Sequence, residues 1–246
     1  MVEREKGGPW VAALASVFYP LTYLARTEAQ HAERIPRTGG AVIAMNHISH
    51  ADPVFDAVFI HKQGRVPRFL AKASVMTAPV FGRMARGAGS IPVYRGTSQA
   101  KDALREAHQA LRDGKVIVIY PEGTITKDPL GWPKNSYPGV AKLALANDVP
   151  VVPIARWGTR DLLDLYHKKI RPFPRKTVKY LVGEPVDLSA FKGQEPTPEL
   201  HQKATEFIMA EVTRLLGQLR GEQPPPHAGK DTHGEDTQAD GKGAHG

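Results

Sequence analysis

The chain has 246 residues, with 33 Lys and Arg against 25 Asp and Glu, a formal net charge of +8 and no cysteine. That length suits one domain of about 200 residues plus tails, large enough for a core without staples. Without cysteine, disulfides, thiolate nucleophiles, zinc–cysteine sites and iron–sulfur clusters are excluded, which fits a reducing cytosolic compartment.

The last 26 residues hold two Lys against five Asp or Glu, so the first 220 carry +11. A body that basic expects phosphate-bearing partners: nucleic acid, an anionic membrane or phosphorylated ligands.

In chain order, the first feature is PWVAALASVFYPLTYLA at 9–25, 17 residues broken by Ser16, Pro20 and Thr22. A membrane span needs roughly 20 predominantly apolar residues. Glu3 and Glu5 dilute the positive start that a signal peptide needs. Trp10, Phe18, Tyr19 and Tyr23 suit a membrane interface, where a helix lies flat. Packing onto the core is the other reading. Residues 1–30 are taken as the interfacial segment.

AVIAMN at 41–46 reads as a buried strand. DPVFDAVFIHKQG at 52–64 reads as a helix with Asp52 as N-cap, Pro53 at the first helical position and Gly64 at its end. A strand is expected over 66–72. A helix over 75–87 is weakened by Pro79, and a short strand follows over 90–95. Residues 98–114 form the clearest amphipathic helix, with Ala103, Leu104, Ala107, Ala110 and Leu111 on one side. KVIVIYPEGT at 115–124 is a strand running into a loop. A helix over 139–148, strands over 149–158 and 177–186, and a closing helix over 197–220 complete the domain, taken as 31–220. Strands alternating with helices predict an α/β fold, a largely parallel central sheet flanked by helices. Beyond 220 the tail, 221–246, holds too little apolar surface to fold.

NHISHAD at 46–52 carries the chemistry. Asp52 alone can be a helix cap. His47, His50 and Asp52 together evoke a metal loop, the basis of a metal-dependent hydrolase reading. Zinc, however, takes three protein ligands even in an open catalytic site. His108, on a charged helix face, and His167, in a basic cluster, are poor distant candidates. The third reading is a His47–Asp52 pair across a strand-to-helix turn. There the carboxylate fixes the imidazole tautomer and supports the imidazolium. With no cysteine and no evident role for Ser49, His47 would deprotonate a hydroxyl of the substrate.

Three further stretches join it: GSIPVYRG at 89–96, YPEGTIT at 120–126 and VPVVPIARWG at 149–158. Sites in open α/β sheets form beyond the carboxyl ends of strands. With these blocks in this order, residues 35–190 resemble the lysophosphatidic acid (1-acyl-sn-glycerol-3-phosphate) acyltransferase family of glycerolipid acyltransferases. The resemblance implies that His47 activates the acceptor hydroxyl and that Asp52 orients it. Arg95 would bind the acceptor phosphate through its planar fork. Glu122, Gly123 and Thr124 would shape the acceptor side, and Val152 and Pro153 the wall. It implies acyl transfer from acyl-CoA or acyl carrier protein to the free hydroxyl of 1-acyl-sn-glycerol 3-phosphate, giving phosphatidic acid. No cofactor or metal is implied beyond that co-substrate. The chain departs from the family at EGTIT, where Ile125 and Thr126 replace the usual arginine and serine. Lys127 and Lys72 are the candidates to restore the charge. The departure bears on the acceptor, so glycerol 3-phosphate or another lysophospholipid is the alternative.

RWGTRDLLDLYHKKIRPFPRKTVK at 156–179 holds eight Lys or Arg against two Asp. It reads as a solvated charged face or a seat for anionic lipid. With the N-terminal stretch it would hold the enzyme as a peripheral, monotopic protein at the cytoplasmic face of the cell membrane. No recognition-helix, RNA-sheet or zinc-finger pattern points to nucleic acid. A basic binding module with a degenerate site is the remaining reading, and the intact set of His47, Asp52, Arg95 and Glu122 argues against it.

Overall fold

The computed structural model describes residues 4–77, 79–93, 100–165, 167–226 and 228. The elements begin with α1 (Pro9–Thr22), β1 (Ala25–Gln30), β2 (Ala41–Met45), α2 (Asp52–Lys62) and β3 (Pro67–Lys72). Next come α3 (Ala73–Met76), α4 (Phe81–Gly87), β4 (Ile91–Val93), α5 (Ala100–Arg112), β5 (Val116–Ile119) and α6 (Gly139–Asn147). The chain continues through β6 (Val151–Trp157), α7 (Thr159–Leu162), a short hairpin of β7 (Leu163–Asp164) and β8 (Lys169–Ile170), β9 (Lys176–Val182) and α8 (Pro198–Arg220).

Seven strands form one sheet in the order β1-β9-β6-β2-β5-β3-β4. From β6 through β4 neighbouring strands run parallel, while β9 is antiparallel to β6 and parallel to β1. AVIAM and VIVI are central because they are apolar throughout, and every residue of β2 and β5 is buried. Along β2, Val42 and Ala44 face one core with α5, α6 and α8, while Ile43 and Met45 face the other with α2. That alternation is the strand's period of two. The topology brings the carboxyl ends of β2, β5 and β6 to one edge. The amino ends of β1 and β9 reach the same edge.

Three elements differ from expectation. The helix expected over 75–87 is split into α3 and α4 around Pro79, which disfavours helix at its own position and the one before it. β1 has no alternation to betray it, because ARTEAQ lies on the sheet edge with all but Ala25 exposed. The β7–β8 hairpin lies inside the basic run 156–179, where no strand is expected between 158 and 177. Arg95 falls in 94–99, and most of the tail in 227 and 229–246, outside the described residues.

α1 packs on α2 and α4. Ahead of it, the Glu5 carboxylate accepts from Val66 N at 3.0 Å and Arg68 Nη1 at 3.0 Å, and pairs with Lys115 at 3.4 Å. The N-terminal segment is thereby pinned to the sheet. Val11, Leu14, Ala15 and Phe18 face inward over a cavity, while Trp10, Val17 and Leu21 are exposed.

Candidate active site

The loop after β2 is held from both sides by the loop after β5. His47 N donates to Glu122 Oε1 at 2.8 Å, and Thr126 N donates to His47 O at 2.8 Å. The His47 ring stacks on Tyr120, with centroids 4.3 Å apart and planes within 14°. Its Nδ1 lies 2.8 Å from Asp52 Oδ2. An ionised carboxylate can only accept, so Nδ1 carries the proton and Nε2 keeps its lone pair.

Asp52 is not the helix cap. Ala51 occupies that position, and the Asp52 side chain turns back onto the loop. Oδ2 accepts from Ile48 N at 2.7 Å, Ser49 N at 2.8 Å and Arg156 Nη2 at 2.5 Å, and Oδ1 from Thr159 Oγ1 at 2.5 Å. These donors hold the carboxylate on the loop side, away from the first turn of α2. Burial works to raise the Asp52 carboxyl. The Arg156 guanidinium, aided by His47 and Thr159, overrides it and holds the carboxyl below the usual range. Asp52 is therefore ionised wherever the histidine can act as a base.

Arg156 is fully buried. Besides Asp52 it bonds Asp56 Oδ2 at 2.5 Å and Asn46 O at 2.6 Å. Asn46 returns the bond reciprocally to the Arg156 backbone, at 2.9 and 2.8 Å. Asp56 also accepts from Tyr120 OH at 2.6 Å and Tyr180 OH at 2.9 Å. Burial, then the nearby Asp56 charge, pushes both phenols well above their ordinary range, so they stay neutral donors. Gly158, at φ 99°, turns the chain from β6 so that Thr159 reaches Asp52. A Cβ there would sit 2.1 Å from Thr177 O.

His47 opens onto an apolar cavity of about 390 Å³. Pro53, Ala57, Val58 and His61 of α2 line one wall, at helical spacing. From Pro53 to His61 that wall runs about 12 Å at 1.5 Å per residue. Residues of β3 and α1 line the cavity as well.

The structure brings His47, Asp52 and Glu122 together. Glu122 is buried and serves as a brace, accepting from the backbone of His47. Gly123, Thr124 and Lys72 line the cavity. Lys127 is exposed and outside the lining, and Ile125, at the family's arginine position, is a buried lining residue. His50 lines the cavity too. Among the described residues no three His, Asp or Glu side chains converge as a ligand set. Ser49 Oγ is spent on Leu163 O at 2.6 Å.

Arg156, Asp56, Thr159 and Tyr120 have no site role in the sequence reading, where Arg156 opens the basic run 156–179. Its signal was a lone charge inside the apolar VVPIARW. Asp56 lies one turn beyond Asp52 on the same helix.

Burial raises the Glu122 carboxyl to about 8, against hydrogen bonds from the His47 and Lys134 backbone. A raised folded-state value contributes stability at acid pH that is lost as pH climbs through it. Between about 4.5 and about 8 the folded protein keeps a proton that the unfolded chain has released. Glu122→Gln should therefore flatten the fall in stability over that window. Denaturant midpoints at its two ends test this, and parallel slopes for the two proteins would overturn it.

A family model named Acyltransferase matches residues 26–157, more than half of the chain. The chain belongs to the acyltransferase family. It is 28% identical over 130 residues to a 1-acyl-sn-glycerol-3-phosphate acyltransferase of Borreliella burgdorferi, covering 52% of this chain and 50% of that one. It is 28% identical over 114 residues to an N-acylphosphatidylethanolamine synthase of Arabidopsis thaliana, covering 44% and 40%. The chain thus spans at most half the length of these two relatives. The crystal structure of the 1-acyl-sn-glycerophosphate acyltransferase of Thermotoga maritima superposes with a TM-score of 0.62 at 23% identity, covering 87% of this chain and 81% of that one. It has the same fold, the mostly parallel sheet flanked by helices.

Proposed function

We propose that this protein transfers a fatty acyl group from a thioester, on coenzyme A or acyl carrier protein, to the free hydroxyl of 1-acyl-sn-glycerol 3-phosphate. Phosphatidic acid is the product. The observation that carries the reading is the His47–Asp52 pair, 2.8 Å apart, at the end of an apolar cavity. His47 Nε2 takes the proton of the acceptor hydroxyl as its oxygen attacks the thioester carbonyl. The carbon–sulfur bond breaks, and the thiolate leaves with that proton. Asp52 supports the imidazolium in between. Transfer is direct, with no acyl-enzyme, because the chain has no cysteine and the Ser49 hydroxyl is committed to Leu163. The cavity accepts an acyl chain, each buried methylene contributing about 0.8 kcal/mol. Lys72 and Arg95 are the proposed phosphate contacts, with Gly123 and Thr124 beside the acceptor and no cofactor beyond the thioester. Among the described residues no helix is long and apolar enough to cross a membrane. The proposed seat is peripheral, at the cytoplasmic face of the membrane, with the Trp10, Val17 and Leu21 stripe of α1 at the lipid interface.

The test is thiol release from palmitoyl-coenzyme A with lysophosphatidic acid, glycerol 3-phosphate, lysophosphatidylinositol or no acceptor. Release that requires lysophosphatidic acid is the expected result. Release only with another acceptor would keep the chemistry and tie Ile125 to a different head group. Acceptor-independent release would overturn transfer altogether.

A further inference from the structure

Phe173, 80% exposed, and Ile170 and Tyr23, each 68% exposed, are the most exposed large apolar side chains among the described residues. Phe173 and Ile170 belong to the segment between α7 and β9, and cations surround them. Lys168, Lys169 and Arg171 are exposed, and among the described residues no ion pair engages them. Arg175 is exposed and donates to Ala25 O at 3.1 Å. That bond ties the segment to the start of β1, directly after Tyr23 and Leu24. Ala25 lies opposite Lys176 on parallel strands, so both segments leave the sheet at the same edge.

That edge is the one where His47 sits. The hairpin base is bonded to the catalytic loop through Ser49 Oγ and Leu163 O, and Arg171 N closes it on Leu162 O at 2.9 Å. Exposed apolar side chains interleaved with unpaired cations match the headgroup layer of a bilayer. Aromatics settle there, and Lys and Arg meet lipid phosphates. An acidic protein surface would answer the cations but would leave Phe173 and Ile170 without a pocket.

We infer that the β7–β8 hairpin and the adjoining Tyr23–Leu24 turn form a docking rim for an anionic lipid surface, which seats the catalytic edge against the leaflet. The inference rests on the acyl-transfer reading only for its purpose. A lysophospholipid acceptor would then enter from the leaflet beside His47.

The experiment is sedimentation of the full chain with phosphatidylcholine vesicles, with and without phosphatidylglycerol. The variants are Lys169→Glu with Arg171→Glu, and Ile170→Ser with Phe173→Ser, all at exposed positions. The wild type should prefer the anionic vesicles at low salt and lose that preference at high salt. The charge reversal should weaken anionic binding by roughly tenfold or more. The serine pair should weaken binding to both vesicle types. Transfer to a short-chain, monomerically dispersed acceptor should be unchanged in both variants. Wild-type vesicle binding by both variants would overturn the inference. So would intact vesicle binding with a loss confined to acyl-carrier-protein donor, which would assign the rim to a protein. Hairpin-dependent binding by a chain that transfers nothing would sink the acyl-transfer reading alone.

Discussion

His47→Ala lowers the rate of acyl transfer by about 10²- to 10⁴-fold, the usual contribution of a positioned general base. The fold survives, because what holds this loop is its backbone. Glu122 and Thr126 bond the His47 amide and carbonyl, and neither contact involves the ring. Asp52 keeps its contacts to Ile48 N, Ser49 N, Arg156 and Thr159. The variant loses the stack on Tyr120, worth about 1 kcal/mol. Steady-state kinetics with a thermal melt separates the two effects. The loss should fall on kcat, with the KM for the acyl donor little changed, because the thioester's chain is bound by the cavity walls. Full activity in this variant would remove the base from the mechanism.

Local spacing made the pair legible, and distance hid its support. His47 and Asp52 are five residues apart across one strand-to-helix turn, so their types and spacing constrain their meeting. Arg156 is more than 100 residues further on, and only the sheet order, with β6 beside β2, brings it to them. β2, β5 and β6 announce themselves as apolar runs because both faces are buried. β1 gives no such signal. Its partner β9 is about 150 residues away, and its exposed side chains answer to solvent. Asp52 shows how a correct residue carries a wrong expectation. An acidic residue before an apolar periodic run satisfies every cap rule, but here the first turn of α2 bends the carboxylate back onto three residues of the preceding loop.

Arg156→Met should destabilise the protein by about 3–5 kcal/mol, the cost of breaking a buried ion pair from one side. Its guanidinium serves Asp52, Asp56 and the Asn46 carbonyl at once, with none of them exposed to water. Arg156→Lys should recover only part of this, because one ammonium cannot span both carboxylates as a planar fork does. The pH dependence carries the sharper test. In the wild type the Asp52 carboxyl is depressed, so its contribution is present above the unfolded value and is lost on acidification. Without the Arg156 guanidinium, burial lifts the Asp52 carboxyl and raises the Asp56 carboxyl, already elevated in the wild type, still further. The variant then holds protons that the unfolded chain releases, and its stability falls as pH rises. Denaturant unfolding across the acid-to-neutral range should show the deficit widening with pH. A pH-independent deficit would mean that Arg156 contributes packing alone. Adding Asp52→Asn and Asp56→Asn should restore much of the stability, since removing a whole buried charge network costs less than breaking it. Activity should not return with it. A neutral amide at Asp52 no longer supports the imidazolium, and that separates what Arg156 does for the fold from what it does, through Asp52, for His47.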